Sequence, residues 1–133
     1  MKLIGCPCPG RLYVEAPFSL PHRGIDYKAD WGTAVLAAHQ GLVRIGRKMG
    51  GGYGLFVRVM GFVDEAPLET LYAHLSQVTV EDGAWVRRGQ MIGRVGNTGT
   101  DLPHLHFELH WQGATVDPFQ FMEVEGGEDS DVG

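Results

Sequence analysis

Short runs of aliphatic, β-branched and aromatic residues recur along this chain, and each ends at a glycine, proline or aspartate. Glycine makes up 20 of the 133 residues, about twice its usual share of ~7%, which suits strands joined by tight turns. The 3.6-residue apolar repeat of amphipathic helices is nearly absent. The pattern therefore predicts an all-β domain with little helix, built as a sandwich or a barrel.

The predicted strands cover most of the chain between residues 11 and 116. They are expected at 11–15, 24–28, 34–37, 42–46, 55–62, 69–73, 91–95, 104–111 and 114–116. A short helix is expected after Asp117, with Asp117 as its N-cap and Pro118 in its first turn. Residues 1–122 are predicted to form a single domain, and the acidic residues 123–133 a disordered tail.

The distribution of charge limits the partners that this chain can bind. The net charge is −5, but five of the sixteen acidic residues lie after residue 122, and eleven acids balance the eleven Lys and Arg before it. A balanced domain without a basic stripe is not expected to bind nucleic acid. No segment reaches membrane-spanning length, the N-terminus lacks a secretory signal, and no required protein partner is evident. Cys6 and Cys8 are one residue apart, too close in sequence to pair readily with each other.

The residues best suited to metal binding and proton transfer are His22, Asp26, His74, His104 and His106. His104 and His106 share a predicted strand, so both rings project from one face with Cα atoms about 7 Å apart. His22 and Asp26 would lie about 13 Å apart on an extended strand, so sharing one ion requires a bend, which Gly24 can provide. Together the two motifs can supply two imidazoles and one carboxylate, the composition of a catalytic zinc site with a position open to water.

The remaining histidines, the tryptophans and Tyr72 are expected to have structural rather than chemical roles. His39 is expected to be exposed in a turn, and His110 to be structural or to support the site. The three tryptophans Trp31, Trp85 and Trp111 are expected to pack rather than to bind sugar. Tyr72 is also expected to pack, with lining of a groove as its alternative.

Several motifs occur in an order that resembles the lysostaphin/LytM-type zinc endopeptidases, which cut peptide bonds in bacterial peptidoglycan. The matching elements are HRGID at 22–26, GYG at 52–54, YAHLS at 72–76, the glycine-punctuated segment 89–96, PHLHFEL at 103–109, and Asp117-Pro118. The resemblance covers about residues 20–122 and is specific because the full set stands in order.

This resemblance implies an antiparallel β-sandwich of the duplicated hybrid motif type, with a substrate groove. It further implies that His22, Asp26 and His106 hold one Zn²⁺, and that His74 and His104 form the catalytic pair; which of the two is the general base stays open. The expected partners are bacterial peptidoglycan peptides. The region before His22 lacks the Gly-Phe-Gly and arginine-containing stretch of relatives, and the loop 99–103 is compressed, so the bond that is cut stays open.

Two other functions are alternatives to a hydrolase. One is a catalytically silent regulator on the same fold, which binds the wall or an amidase. The other is a sugar-phosphotransferase carrier domain, although such a domain would not need His22 and Asp26 at this spacing. Because no export signal or wall-binding domain is recognised, we hypothesise a phage-encoded lysin, carried in a tail structure or released at lysis.

Overall fold

The computed structural model describes residues 4–8, 13–48 and 52–123. The predicted disorder of the acidic tail falls on residues outside this description, apart from Glu123. The described strands are β1 Tyr13–Ala16, β2 Ile25–Lys28, β3 Ala34–Leu36, β4 Gly41–Lys48, β5 Gly54–Val63, β6 Ala66–Val78, β7 Trp85–Val86, β8 Met91–Val95, β9 Leu105–Trp111 and β10 Ala114–Val116. A 3-10 turn, Pro118–Gln120, follows. The described part of the chain holds no helix of bilayer-spanning length and hydrophobicity.

The strands pair antiparallel in the order β1-β2-β9-β6-β5-β4-β7, with β10 on β9. β6 is the longest strand and belongs to two layers: its first part pairs with β5 and β9, and its end pairs with β8, which in turn pairs with β3. The change of partner occurs around His74, where the register with β5 and β8 also shifts. The predicted all-β antiparallel sandwich is confirmed.

The core lies between these layers and takes its side chains from both. Tyr72 and Phe107 of the large layer and Val35, Leu75 and Ile92 of the small layer are fully buried in one apolar cluster. Burying an aliphatic side chain of this size contributes about 1.5–3 kcal/mol. The core therefore fixes β6 and β9, the two strands that carry the candidate catalytic histidines or adjoin them.

The predicted strand positions agree with the observed ones to within a few residues, with three differences. The strand β7 is missing from the prediction because two residues are too short for a recognisable alternation. β6 runs five residues beyond its predicted end because it bends at His74 and continues in the second layer. β9 begins at Leu105, so His104 precedes the strand. The predicted cap is confirmed, since the Asp117 carboxylate accepts a hydrogen bond from the Phe119 amide at 3.0 Å.

His39 was expected to be exposed, and this prediction is wrong. The residue is 5% exposed, and its Nε2 lies 2.9 Å from the Thr70 hydroxyl, which lies 2.7 Å from the Tyr72 hydroxyl. Tyr72 in turn accepts the Ala38 amide hydrogen at 2.8 Å. The turn at residue 39 folds inward because this buried chain of hydrogen bonds satisfies its imidazole. Tyr72 is fully buried, which confirms its packing role and removes it from the groove.

The tryptophans divide into two groups. Trp111 packs against Phe121 with ring centroids 5.6 Å apart, as expected. Trp31 and Trp85 are each 60% exposed, so the prediction that they pack is wrong for both.

The N-terminal segment closes one edge of the core. Ile4 donates its amide hydrogen to Phe121 and accepts one from Glu123, and the Gly5 amide donates to Ala38. Cys8 is buried, and burial raises the pKa of its thiol to about 12, which makes it a packed apolar group rather than a nucleophile.

Candidate active site

His22 and Asp26 approach each other because the chain turns sharply between them. Arg23 has a positive φ of 69°, so the turn depends on Arg23 rather than on the expected freedom of Gly24. Gly24 is needed for a different reason: a Cβ there would lie 2.5 Å from the Phe107 carbonyl oxygen. The turn brings His22 Nε2 to 3.1 Å from Asp26 Oδ2, while His22 Nδ1 lies 3.3 Å from the Pro17 carbonyl.

His106 joins this pair through strand register. Asp26 of β2 stands directly opposite His106 of β9, and His106 Nδ1 lies 2.8 Å from Asp26 Oδ1. One nitrogen or oxygen from each of His22, Asp26 and His106 lies within 4.8 Å of the others. The structure therefore brings together the three residues that were predicted to bind metal.

His74 and His104 line the same groove as His22, Asp26 and His106. Their ring centroids are 4.7 Å apart, and the His74 ring is 6.1 Å from that of His106. His74 Nδ1 lies 2.7 Å from the Thr98 carbonyl and His104 Nδ1 lies 3.1 Å from the Leu102 carbonyl. A carbonyl can only accept a hydrogen bond, so in each neutral ring Nδ1 carries the hydrogen and Nε2 keeps its lone pair.

His74 has a strained backbone. Its φ is 65°, in the left-handed region that non-glycine residues rarely adopt. Its amide donates to the Tyr53 carbonyl, and its carbonyl accepts from the Gly96 amide, at 2.8 and 2.9 Å. These bonds and the bend of β6 hold the ring at the groove instead of leaving it on the regular face of the strand.

Glu108 supports His106 from behind. Its carboxylate is 1% exposed and accepts from His106 Nε2, from His110 Nε2 and from the Tyr53 hydroxyl, each at 2.8 Å. The expected supporting role of His110 is confirmed by this contact. Neither Glu108 nor Tyr53 was predicted as a site residue, although the alternation from residue 104 to 110 places Glu108 on the histidine face.

The electrostatics of the site favour ionised carboxylates. Burial acts to raise the pKa of Asp26, but the hydrogen bond from His106 and the charges of the nearby imidazoles hold it below its usual range. Burial also opposes ionisation of Glu108, yet hydrogen bonds from His106, His110 and Tyr53 lower its pKa to about 2.

The pKa values of His74 and His106 shift in opposite directions. Burial lowers the pKa of His74, with the nearby imidazoles adding to the effect, so its neutral form is favoured. Burial would also lower the pKa of His106, but hydrogen bonds to Asp26 and Glu108 raise it to about 9. A metal ion that takes His106 Nδ1 must therefore displace a proton from that ring.

The groove has a volume of about 610 Å³. Beside the five predicted residues it is lined by Arg23, Lys48, Gly52, Tyr53, Gly99, Thr100 and Glu108. It is open at the surface and contains both the candidate ligands and the two imidazoles of His74 and His104. Two imidazole nitrogens and one carboxylate are donors that suit Zn²⁺ with a remaining position for water or substrate.

One groove of the sandwich thus holds residues that could bind a metal ion and imidazoles that could transfer a proton, as a metal-dependent hydrolase requires. The model of peptidase family M23 matches residues 20–118, and the chain belongs to this family. The resemblance proposed from the motifs is thereby confirmed, and the phosphocarrier alternative is not supported.

Curated relatives match over about three quarters of the chain. It is 37% identical over 99 residues to an uncharacterized metalloprotease of Haemophilus influenzae, covering 74% of this chain and 20% of that protein. It is 44% identical over 99 residues to the DD-carboxypeptidase/endopeptidase Mpg of Neisseria meningitidis, covering 73% and 22% respectively. The chain thus spans about a fifth of the length of these two relatives.

Solved structures share the fold. Csd3 of Helicobacter pylori superposes with a TM-score of 0.74 at 33% identity, over 92% of this chain and 34% of that one. A zinc-containing peptidase from Vibrio cholerae gives 0.74 at 26% identity, over 84% and 37%. The antimicrobial peptidase lysostaphin from Staphylococcus simulans gives 0.66 at 29% identity, over 81% and 46%.

Proposed function

We propose that this chain is a zinc-dependent endopeptidase that hydrolyses peptide bonds in bacterial peptidoglycan. The observation that carries the proposal is the convergence of His22, Asp26 and His106 beside two further imidazoles in one groove. Family membership and the zinc-containing relative support the choice of metal. The name of the Neisseria relative, a DD-carboxypeptidase/endopeptidase, supports a substrate with a D-amino acid at the scissile bond.

The metal would be held by His22 Nε2, an Asp26 carboxylate oxygen and His106 Nδ1. When bound there, zinc supplies Lewis-acid polarisation of a carbonyl and lowers the pKa of a water molecule toward ~7. Asp26 neutralises part of the metal's charge, which leaves the site with a net positive charge for a developing oxyanion.

His74 and His104 move the protons of the reaction. Their Nδ1 hydrogens are directed to the Thr98 and Leu102 carbonyls, so their Nε2 atoms are available to accept a proton from the attacking water. The lowered pKa of His74 keeps that ring neutral and ready to act as a base. After one ring takes the proton, the pair stabilises the tetrahedral intermediate and returns the proton to the leaving amine.

The test combines zinc content with the products of cleavage. Zinc-loaded protein is incubated with cross-linked muropeptides, and the products are identified by mass spectrometry. We expect His106→Ala to lose zinc, and His104→Ala to keep zinc but lose turnover. Lys28→Ala, at the exposed end of β2, is the control that should leave both unchanged.

Two results would contradict this proposal in different ways. Near-normal cleavage by His104→Ala would remove that residue from the catalytic pair. Zinc-loaded wild-type protein that binds peptidoglycan without cutting it would favour the silent regulator. The hypothesis of a phage-encoded lysin stays a separate prediction, checked by searching purified virions for this chain.

A further inference from the structure

The buried carboxylate of Glu108 is an unusual group for the middle of a β-strand. A buried charge costs several kcal/mol unless it is paired and hydrogen-bonded. Glu108 meets this requirement with three donors: His106 Nε2 and the Tyr53 hydroxyl at Oε2, and His110 Nε2 at Oε1. The arrangement fixes the carboxylate in one orientation.

The orientation of the Glu108 carboxylate determines which nitrogen of His106 carries a hydrogen. A neutral imidazole has one hydrogen, and the contact with Glu108 requires that hydrogen on Nε2. In the metal-free protein Nδ1 also carries a hydrogen, which bonds the Asp26 carboxylate at 2.8 Å. When a metal displaces that proton, the lone pair lies on Nδ1, on the side of Asp26. His22 is arranged in the opposite way, because its Nδ1 is directed to the Pro17 carbonyl and its Nε2 points to Asp26.

We propose that Glu108 is the positioning residue of the metal site: it holds His106 with Nε2–H inward and Nδ1 directed at the metal, and Tyr53 and His110 hold Glu108. This inference rests on the proposed zinc site. A carboxylate behind a ligating imidazole fixes its tautomer and ring orientation and makes it a better ligand. The two histidine ligands therefore bind through different nitrogens, and contacts within this chain determine which.

Tyr53 links this support to the catalytic pair. Its hydroxyl donates to Glu108, its ring stacks on His106 with centroids 5.9 Å apart, and its carbonyl accepts the His74 amide hydrogen at 2.8 Å. A single residue of the glycine-rich turn thus contacts both His106 and His74. Glu108 is 1% exposed and its carboxylate oxygens are occupied by three donors, so we assign it a positioning role for His106.

Zinc affinity is the first test, measured by competition with a chromogenic chelator. Glu108→Ala removes the acceptor of His106 and should weaken zinc binding by about 10- to 100-fold. Glu108→Gln retains an oxygen for His106 and Tyr53, and its amide can donate to the other tautomer of His110, so it should recover most of the affinity. Thr70→Val is the control, because it removes a buried hydrogen-bonding group away from the site and should leave zinc affinity unchanged.

Nitrogen-15 NMR of the imidazole side chains is the second test and needs no substitution. In zinc-loaded wild-type protein, we expect His106 to show a protonated Nε2 and a metal-bound Nδ1. Zinc binding by Glu108→Ala as tight as wild type, or a metal-bound Nε2 on His106, would overturn the inference. If Glu108→Ala fails to fold, the wild-type spectrum decides. Absence of zinc binding by the wild type would instead refute the proposed function itself.

Discussion

A single methyl group at Gly54 should disturb both the fold and the position of the candidate catalytic residue His74. Gly54 begins β5 with a φ of 66°, and a Cβ there would lie 2.3 Å from the Thr98 carbonyl oxygen and 2.4 Å from its carbon. The obstacle is backbone, so no side-chain rotation can relieve it. The same Thr98 carbonyl accepts the hydrogen bond from His74 Nδ1.

We expect Gly54→Ala to lower the free energy of unfolding for two reasons. A left-handed φ costs an alanine about 1–2 kcal/mol, and forcing atoms into a packed site costs about 1–3 kcal/mol more. Gly83→Ala is the matched control, since Gly83 has a φ of 86° but nothing within 4 Å of its Cβ. In urea denaturation, the free energy of unfolding should therefore fall by about 2–5 kcal/mol for Gly54→Ala and by about 1–2 kcal/mol for Gly83→Ala.

Gly54→Ala should also lower kcat. If Thr98 is displaced, its carbonyl no longer fixes the tautomer and the position of the His74 ring. A misplacement of about 1 Å can cost on the order of 100-fold in rate. Zinc content should not change, because the atoms nearest to the added methyl group belong to Thr98 and not to His22, Asp26 or His106. Equal destabilisation by the two alanines, together with an unchanged kcat for Gly54→Ala, would refute this reasoning.

Three further outcomes follow from the described contacts. Tyr72→Phe removes the acceptor of the buried Ala38 amide, so urea denaturation should show a loss of about 1–3 kcal/mol with kcat within about twofold of wild type; a large fall in kcat would contradict its packing role. Burial lowers the pKa of His39, so the unfolded chain takes up that proton first on acidification. The free energy of unfolding should therefore fall as the pH drops below about 6.5, by up to about 1.4 kcal/mol per pH unit from this group, and His39→Gln should flatten that slope in pH-dependent denaturation. Chelation should lower the free energy of unfolding by about 2.7 kcal/mol relative to protein in free zinc at 100 times Kd, and a chelator effect of the same size on His106→Ala would contradict its role as a ligand.

Much of the metal site could be predicted because strand geometry is regular. Alternation along residues 104–110 places His106 on a face with Glu108 and His110, and the family resemblance implies Asp26 as a second ligand. The structure adds that these residues meet through the pairing of β2 with β9. Pairing between distant strands depends on the whole topology, which local patterns do not determine.

The parts that could not be predicted depend on local departures from regular geometry. The turn at Arg23 and the left-handed backbone of His74 are unfavourable for their residue types, so propensity argues against them. His39 is buried because its Nδ1 donates to the Gln40 carbonyl and its Nε2 accepts from the Thr70 hydroxyl, which is distant in sequence and also bonds Tyr72. Burial of Glu108 follows from the same kind of long-range contact, with Tyr53.

The central claim is that one cation is bound by three residues from two separated segments. Crystals grown with zinc and measured at the zinc absorption edge test this directly by anomalous scattering. We expect one strong peak about 2.0–2.2 Å from His22 Nε2, an Asp26 carboxylate oxygen and His106 Nδ1. A peak located elsewhere, or these three side chains directed away from a common point, would contradict it.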